Sequence, residues 1–505
     1  CAGDKFDFEV SSMLRWFAYY TSVILVLAGV FLATACDGGS SSDSSALTQG
    51  NNISEVQPAA DALNVLLIVA DDLGPQLGVY GDSQAQTPNI DQLAAAGVLF
   101  EQAYVTQASC SSSRSSILSG LYPMQNGQLG LAASLPEYQL KPGIETMPSL
   151  LHGAGYFTGI LGKLHVGPDE PFPFDYEWAR SNNAMASRDV AQVAQLADEF
   201  LDKAGDTPFF LYVNLFDPHR PFDDSANQLL GLPPQPRSAE EIEPFPYLGL
   251  DGPLIREEVA IYYNAVSRLD AGVGMLLDVL SARGVRDNTV IIFLGDHGPP
   301  FTRAKGTSYE AGVRIPLIIS WPEVGTPSSR SRALVSTVDL LPTVLDAVKL
   351  KSAPMAGASL REVMWGNLPG DWRRWLFTEY TSHAKEHFYP RRSVRGDRFK
   401  LIHNLDAGRR NPLPYEGRTR PGNALVVSEG AARAYQTQEF PPALELYDLQ
   451  LDPYEMRNLA DDPAYLGIRE ELHRTLQQWR ESMGDPLLDP AELRRLRSVH
   501  GINTP

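Results

Sequence analysis

Four short runs of apolar residues along the chain each end in titratable side chains. In "NVLLIVADD" the run Val65–Ala70 is unbroken, the pattern of a strand buried on both faces. Asp71 and Asp72 follow it at once. Tyr156–Leu161 leads into Gly162, Lys163 and His165, and Phe209–Phe216 leads into Asp217, His219 and Arg220. Val290–Leu294 leads into Asp296 and His297. Between these runs, residues 188–203 and 256–283 place apolar positions three and four apart, which predicts helices. The second closes at Gly284, a C′ glycine. Strands alternating with helices predict an α/β fold, a large mostly parallel sheet flanked by helices. Ligands of such sheets bind beyond the carboxyl ends of the strands. Turn chemistry explains one polar strand end. Four on the same rim point to a site.

Beyond residue 375 the pattern changes. "RSVRGDRFKLIHNL" predicts a hairpin turning at Gly396 and Asp397. "LELYDLQLDP" predicts a further strand, and residues 468–482 a helix. The expected division is a catalytic domain over 61–374 and a smaller C-terminal subdomain over 375–505.

The first sixty residues read differently. From Met13, "MLRWFAYYTSVILVLAGVFLATAC" has one arginine, a long apolar run and small residues leading to Cys36, the layout of a bacterial export signal. "ATAC" followed by "DGGSSSDSS" predicts a lipoprotein processing site, with Cys36 as the lipid-bearing residue. An uncleaved membrane anchor is the alternative. Residues 1–12 read as a non-native upstream segment, 13–36 as the signal peptide and 37–60 as a flexible tether. The expected location is periplasmic or at the cell surface of a bacterium, with an N-terminal lipid holding the exported protein to a membrane.

Composition narrows the chemistry. A chain of 505 residues with 43% apolar side chains supports a sizeable core. The formal net charge of −19 argues against nucleic acid as a partner. An anionic substrate needs a local basic pocket, and the rim offers one. Asp71, Asp72 and Asp296 are hard oxygen donors that repel one another unless a cation sits between them. Ca²⁺ or Mg²⁺ fits that set, and His297 beside it is a poorer match for a hard ion. Arg114, Lys163, His165, His219 and Lys305 form a second, basic set. A cation plus several basic side chains describes a pocket for a compact oxyanion, sulfate or phosphate.

Cys110 stands in "ASCSSSRSSILSG", four residues before Arg114. With Cys36 lipid-bearing and Cys1 in a non-native segment, as expected above, Cys110 is the one thiol of the folded part and has no partner for an internal disulfide. A lone cysteine in an exported protein is either buried and inert or chemically used.

"CSSSRSSILSG" resembles the signature of the type I sulfatases, the formylglycine-dependent members of the alkaline phosphatase superfamily. The resemblance runs from about Asn64 to Pro463. It includes "TPNIDQLAAAGVLFEQAY", "GKLHVG", "DPHRPF", "GDHG", "KGTSYEAGVRIPLIISWP" and "LYDLQLDPYEMRNLADDP". It implies an alkaline phosphatase-like sheet with a small antiparallel sheet in the C-terminal subdomain, and sulfuric ester or sulfamate hydrolysis. It implies that Cys110 is oxidised to formylglycine by a formylglycine-generating enzyme. Asp71, Asp72, Asp296, His297 and the modified Cys110 would hold one divalent cation, usually calcium. Arg114 would hold the formylglycine hydrate, and Lys163 and Lys305 would bind sulfate oxygens. His165 would act on the formylglycine hydroxyl, and His219 would protonate the leaving group. Arg220 and His383 are the implied substrate contacts.

Ser112 departs from the family signature, which has proline or alanine two residues after the cysteine. Within the family, "SCSSSRSSILSGLYPMQNG", "FDPHRPF" and "YPRRSVRGDRFKLIHNL" are most similar to the heparan N-sulfatase (sulfamidase) branch. That implies an N-sulfoglucosamine-type substrate. In "EYTSHAKEHFYP", however, the branch's paired His and Glu become His383 and Ala384. The alternatives are an O-sulfatase of algal polysaccharide, a phosphodiester or phosphonate hydrolase on the same fold, and an inactive glycan-binding lipoprotein.

Overall fold

In the computed structural model, residues 62–180, 184–222, 231–351, 355–412 and 425–502 are described. The signal-like segment, Cys36 and the tether lie outside these residues. Residues 55–505 cluster as one compact unit. In chain order the strands are β1 (Asn64–Ala70), β2 (Val98–Tyr104), β3 (Phe157–Gly162), β4 (Tyr176–Trp178) and β5 (Phe209–Leu215), then β6 (Leu250–Asp251), β7 (Thr289–Gly295), β8 (Arg314–Ser320), β9 (Ser329–Ser331) and β10 (Val335–Ser336). Those of the C-terminal region are β11 (Leu376–Tyr380), β12 (Arg391–Arg395), β13 (Phe399–Asn404), β14 (Leu425–Val426) and β15 (Leu444–Asp448).

The large sheet has the order β10-β2-β8-β7-β1-β5-β3-β4, with β9 also paired to β2. Its central pairs β7-β1, β1-β5 and β5-β3 are parallel. β8 alone in that order is reversed, antiparallel to both β7 and β2. The expected mostly parallel sheet is therefore present, with one inverted strand. All seven residues of β1 are buried. Alternation along the strand sends Val65, Leu67 and Val69 into the core on one face, and Leu66, Ile68 and Ala70 into the core on the other. This is why the run carries no polar position: neither face meets water.

The expected helices form. Val190–Ala204 starts at Asp189, whose carboxylate accepts the Gln192 N–H at 3.0 Å. Pro253–Ala282 runs for 30 residues and stops before Gly284, which has φ of +69°. A residue with a Cβ is strained there, so the glycine ends the helix.

The second sheet, β11-β12-β13-β15, is antiparallel throughout. The predicted hairpin is β12–β13, closed by Gly396 N–H to Phe399 O at 3.0 Å. Helix Leu466–Ser482 packs Leu472, Leu476 and Trp479 against Val394, Leu401 and Leu446. Polar ties join the second sheet to the large sheet and to the segment before β8: Arg395 Nη1 to Tyr104 Oη at 2.5 Å, Lys400 Nζ to Glu310 at 3.0 Å, and Tyr309 Oη to Glu445 at 2.9 Å.

Candidate active site

The four strand ends and one helix converge. β1 delivers Asp71 and Asp72, β3 delivers Lys163 and His165, β5 delivers His219, with Asp217 at the start of its turn, and β7 delivers Asp296 and His297. Neighbouring parallel strands in register bring their ends to one rim, so residues far apart in sequence meet. Asp72 N–H donates to Asp296 Oδ1 at 2.9 Å. Asp72 and His165 hold φ of +65° and +57°. Non-glycine residues adopt this left-handed backbone only where surrounding structure enforces it.

Cys110 begins the helix Cys110–Ser119, every residue of which is buried. Its sulfur lies 3.3 Å from His297 Nε2. His297 Nδ1 is 2.9 Å from the Gly298 carbonyl, so Nδ1 carries the proton and Nε2 faces the site. One turn along the helix, the fully buried Arg114 is pinned from several sides. Its Nε donates to Asp296 Oδ2 at 3.0 Å, and its Nη1 donates to Tyr212 Oη at 3.2 Å and to Asn214 Oδ1.

Electrostatically the rim is a set of opposed buried charges. Lys163 Nζ lies 2.6 Å from Asp71, and Lys305 Nζ lies 3.0 Å from Asp72. Burial disfavours ionised Asp71, but Lys163, His219 and Arg114 outweigh it and hold the carboxyl well below its usual range. Burial likewise opposes charge on His297. Asp296, the Cys110 sulfur and Asp72 override it and push the imidazole up to about 10, so a cation bound at Nε2 would take the place of a proton. Burial together with Lys163 holds His165 well below its usual range, which keeps it neutral.

The donor set fits a divalent cation. One ligand atom each from Asp71, Cys110, Asp296 and His297 lie within 4.8 Å of one another, and so do those of Asp71, Asp72, Cys110 and His219. Asp71 Oδ1 is buried without a hydrogen-bond partner, Arg114 Nη2 standing 3.5 Å away, as a ligand oxygen would be. The expected metal set thus comes together, with His219 added at its border.

The two expected substrate contacts differ in character. His383 is buried against the signature helix, its Nδ1 3.0 Å from Ser109 Oγ. Arg220 is engaged within the protein. It pairs with Glu258, donates to Pro300 O at 3.2 Å and lies 4.4 Å over the Phe222 ring.

Sequence reading missed several neighbours. Tyr212 and Asn214 of β5 hold Arg114, and the polar Asn214 inside "LYVNLFD" was the available signal. Asp217 was noted as a strand end, but its two buried partners were not. Arg188 Nε and Arg268 Nε grip it at 3.0 Å each, and Arg188 Nη2 also holds the His219 carbonyl at 2.8 Å. Nothing in the spacing of Arg188 or Arg268 marks them.

Fold and rim together give an α/β protein whose strand ends gather carboxylates and basic side chains, an arrangement suited to a cation and a compact oxyanion. Residues 63–350 match the Sulfatase family, and residues 296–413 match the family described as N-sulphoglucosamine sulphohydrolase, C-terminal. Human N-sulphoglucosamine sulphohydrolase is 32% identical over 463 residues, covering 84% of this chain and 91% of that protein. An ulvan-active sulfatase of Formosa agariphila is 27% identical over 481 residues, covering 92% and 89%. Two solved structures share the fold. One, in complex with its substrate D-glucosamine-2-N,6-O-disulfate, superposes with a TM-score of 0.64 at 22% identity over 84% of this chain and 99% of that one. The phosphonate monoester hydrolase of Agrobacterium radiobacter gives 0.62 at 21% identity over 83% and 96%. The chain belongs to the sulfatase family, whose members hydrolyse sulfate esters or sulfamates.

Proposed function

We propose that the protein removes sulfate from a sulfated amino sugar of the N-sulfoglucosamine type. One observation carries the substrate assignment. The C-terminal match to N-sulphoglucosamine sulphohydrolases spans His383, and His383 lies against Ser109, next to the Cys110 nucleophile position.

Asp71, Asp72, Asp296 and His297 would hold the cation, calcium in this reading, with position 110 completing its shell. A formylglycine hydrate at that position would supply the nucleophile, its acidity raised by the cation. Around it the chain's own groups have separate tasks. Arg114, clamped by Asp296, Tyr212 and Asn214, fixes the orientation of position 110. Lys163 and Lys305 present ammonium groups to the sulfuryl oxygens and offset the charge that grows there during transfer. His219 Nδ1 lies 2.5 Å from the Arg220 carbonyl, which leaves Nε2 toward the rim. From there it donates a proton to the departing nitrogen or oxygen. His165, held neutral, accepts a proton from position 110 so that sulfate leaves. An unmodified cysteine lacks the second hydroxyl and would stall after the first transfer. Formylglycine-generating enzyme is therefore the required partner in maturation, and export with lipidation at Cys36 places the protein where sulfated glycans are met.

A second reading, O-desulfation of an algal polysaccharide, is supported by the ulvan-active relative and by Ala384, where the sulfamidase branch has glutamate. The test is the mass of the peptide carrying Cys110 from a host with the maturation enzyme, followed by sulfate release from N-sulfoglucosamine and from ulvan fragments. Aldehyde mass with release from N-sulfoglucosamine supports the first reading, and release from ulvan alone supports the second. No release from either by aldehyde-bearing protein overturns both. Ser112 is buried and its hydroxyl meets no hydrogen-bond partner. Ser112→Ala therefore keeps the fold and is expected to raise the converted fraction.

A further inference from the structure

A second charged groove lies at the opposite rim of the large sheet. β2 runs parallel to β1 and ends six residues before Cys110, and the groove starts at its other end, Val98. It is lined by β9, by the residues after helix Arg361–Met364, and by the segment before β11. A strand of seven residues separates the two rims by about 20 Å. The groove encloses about 710 Å³, within the range of clefts that take small ligands or chain segments.

Its lining is unusual for a chain of charge −19. Arg330, Arg332 and Arg374 enter it with side chains 48%, 82% and 75% exposed. Arg330 and Arg332 share one carboxylate, Glu101, at 3.3 and 3.5 Å, so one positive charge there is not neutralised. Arg374 reaches Glu471 at 3.6 Å, a surface pair of small worth that an incoming anion displaces readily. Asp397 is the acidic residue of the lining. Two indoles also line the groove. Trp372 is fixed by its Nε1–H donating to Leu334 O at 3.1 Å. Trp365 is 46% exposed beside Leu368, which is 60% exposed.

We propose that this groove binds a sulfated polysaccharide chain at a site separate from the rim where sulfate is cleaved. This rests on reading the protein as a glycan sulfatase. Planar guanidinium forks match the oxygens of sulfate groups in pairs. An exposed indole offers an apolar face to the C–H face of a pyranose ring. The concave shape suits a linear chain better than the flat surface of a bilayer. Its function is to retain polymer while the rim acts on a chain end.

The experiment uses the full chain in two forms. The Cys110→Ser protein, unable to turn over substrate, is run on native gels containing heparin or ulvan. It is compared with the same protein carrying Arg332→Ala and Arg374→Ala, and with one carrying Trp365→Ala. Retardation by polysaccharide in the parent is expected, with an apparent affinity about tenfold weaker in the double variant. In the formylglycine-bearing enzyme, the double variant should raise KM for polymer about tenfold and leave kcat/KM for a sulfated monosaccharide unchanged. Thermal melting confirms that these surface changes leave the fold intact. Equal retardation of parent and double variant overturns the proposal, as does a parent that neither polysaccharide retards. Binding through the arginines to vesicles of anionic phospholipid, without binding to polysaccharide, also overturns it. If no sulfated sugar is turned over yet the arginines still govern retardation, the groove stands and the catalytic reading falls.

Discussion

The Cys110 sulfur sits 3.3 Å from Nε2 of His297, the residue that follows the third carboxylate of the rim. The ring's other nitrogen is spent on the Gly298 carbonyl, so Nε2 is aimed at the point where Asp71, Asp296 and position 110 meet. His297→Ala is expected to weaken binding of the divalent cation by at least about tenfold. Calorimetric titration with Ca²⁺ and with Mg²⁺ reads the loss. An unchanged affinity would remove His297 from the ligand set.

Asp217 does not reach the rim itself, but it anchors the turn that carries His219. Arg188 and Arg268 both hold its carboxylate, and Arg188 spans to the His219 carbonyl. Asp217→Asn loosens that anchor, so kcat should fall about tenfold or more while KM changes little, because the loss is of alignment. A parallel rise in KM would point to lost substrate binding instead.

Gly298 follows the ligand histidine in a space with no room for a side chain. A Cβ there would lie 1.8 Å from the Ala311 carbonyl oxygen. Gly298→Ala must displace either segment, and a cost of about 1–3 kcal/mol is expected from overpacking. Chemical denaturation measures it. Cation affinity should fall as well, since the displaced backbone carries His297.

Just beyond helix Leu466–Ser482, Asp485 is gripped by Arg392 of β12 at 2.9 and 3.0 Å and by Arg480 at 2.7 Å. Burial opposes its ionisation, but the two arginines prevail and lower the carboxyl to about 2. A carboxyl depressed by folding adds stability above its unfolded pKa, which is lost as pH falls from about 3.8 toward about 2. Asp485→Asn leaves the buried Arg480 without its counter-charge and Arg392 with only Glu379, 3.5 Å away, and should cost about 3 kcal/mol at pH 7. The gap in melting temperature between parent and variant should narrow below about pH 4. A gap independent of pH would mean that packing, not charge, is what Asp485 contributes.

Much of the site was legible because parallel strands deliver their carboxyl ends together. Once Val65–Ala70 and Val290–Leu294 read as buried strands, Asp71, Asp72 and Asp296 had to share a rim. Arg114 was legible by its spacing from Cys110, one helical turn on. Its partners Tyr212 and Asn214 were not, because that contact depends on which face of β5 turns toward the helix. Arg220 was legible in "DPHRPF" as an implied substrate contact, but its ties to Glu258 and the Phe222 ring depend on packing that the motif does not show.

By itself the sequence determined the strand–helix alternation, the rim carboxylates and the family signature at Cys110. Each is written in residues adjacent along the chain, where periodicity and order carry the information. Only the tertiary structure decided the Arg188–Asp217–Arg268 anchor, the Ser109–His383 contact and the groove joining residues near 98, 330, 365 and 374. These bring together side chains up to hundreds of residues apart. Their meeting depends on strand order and helix packing, which no local pattern encodes.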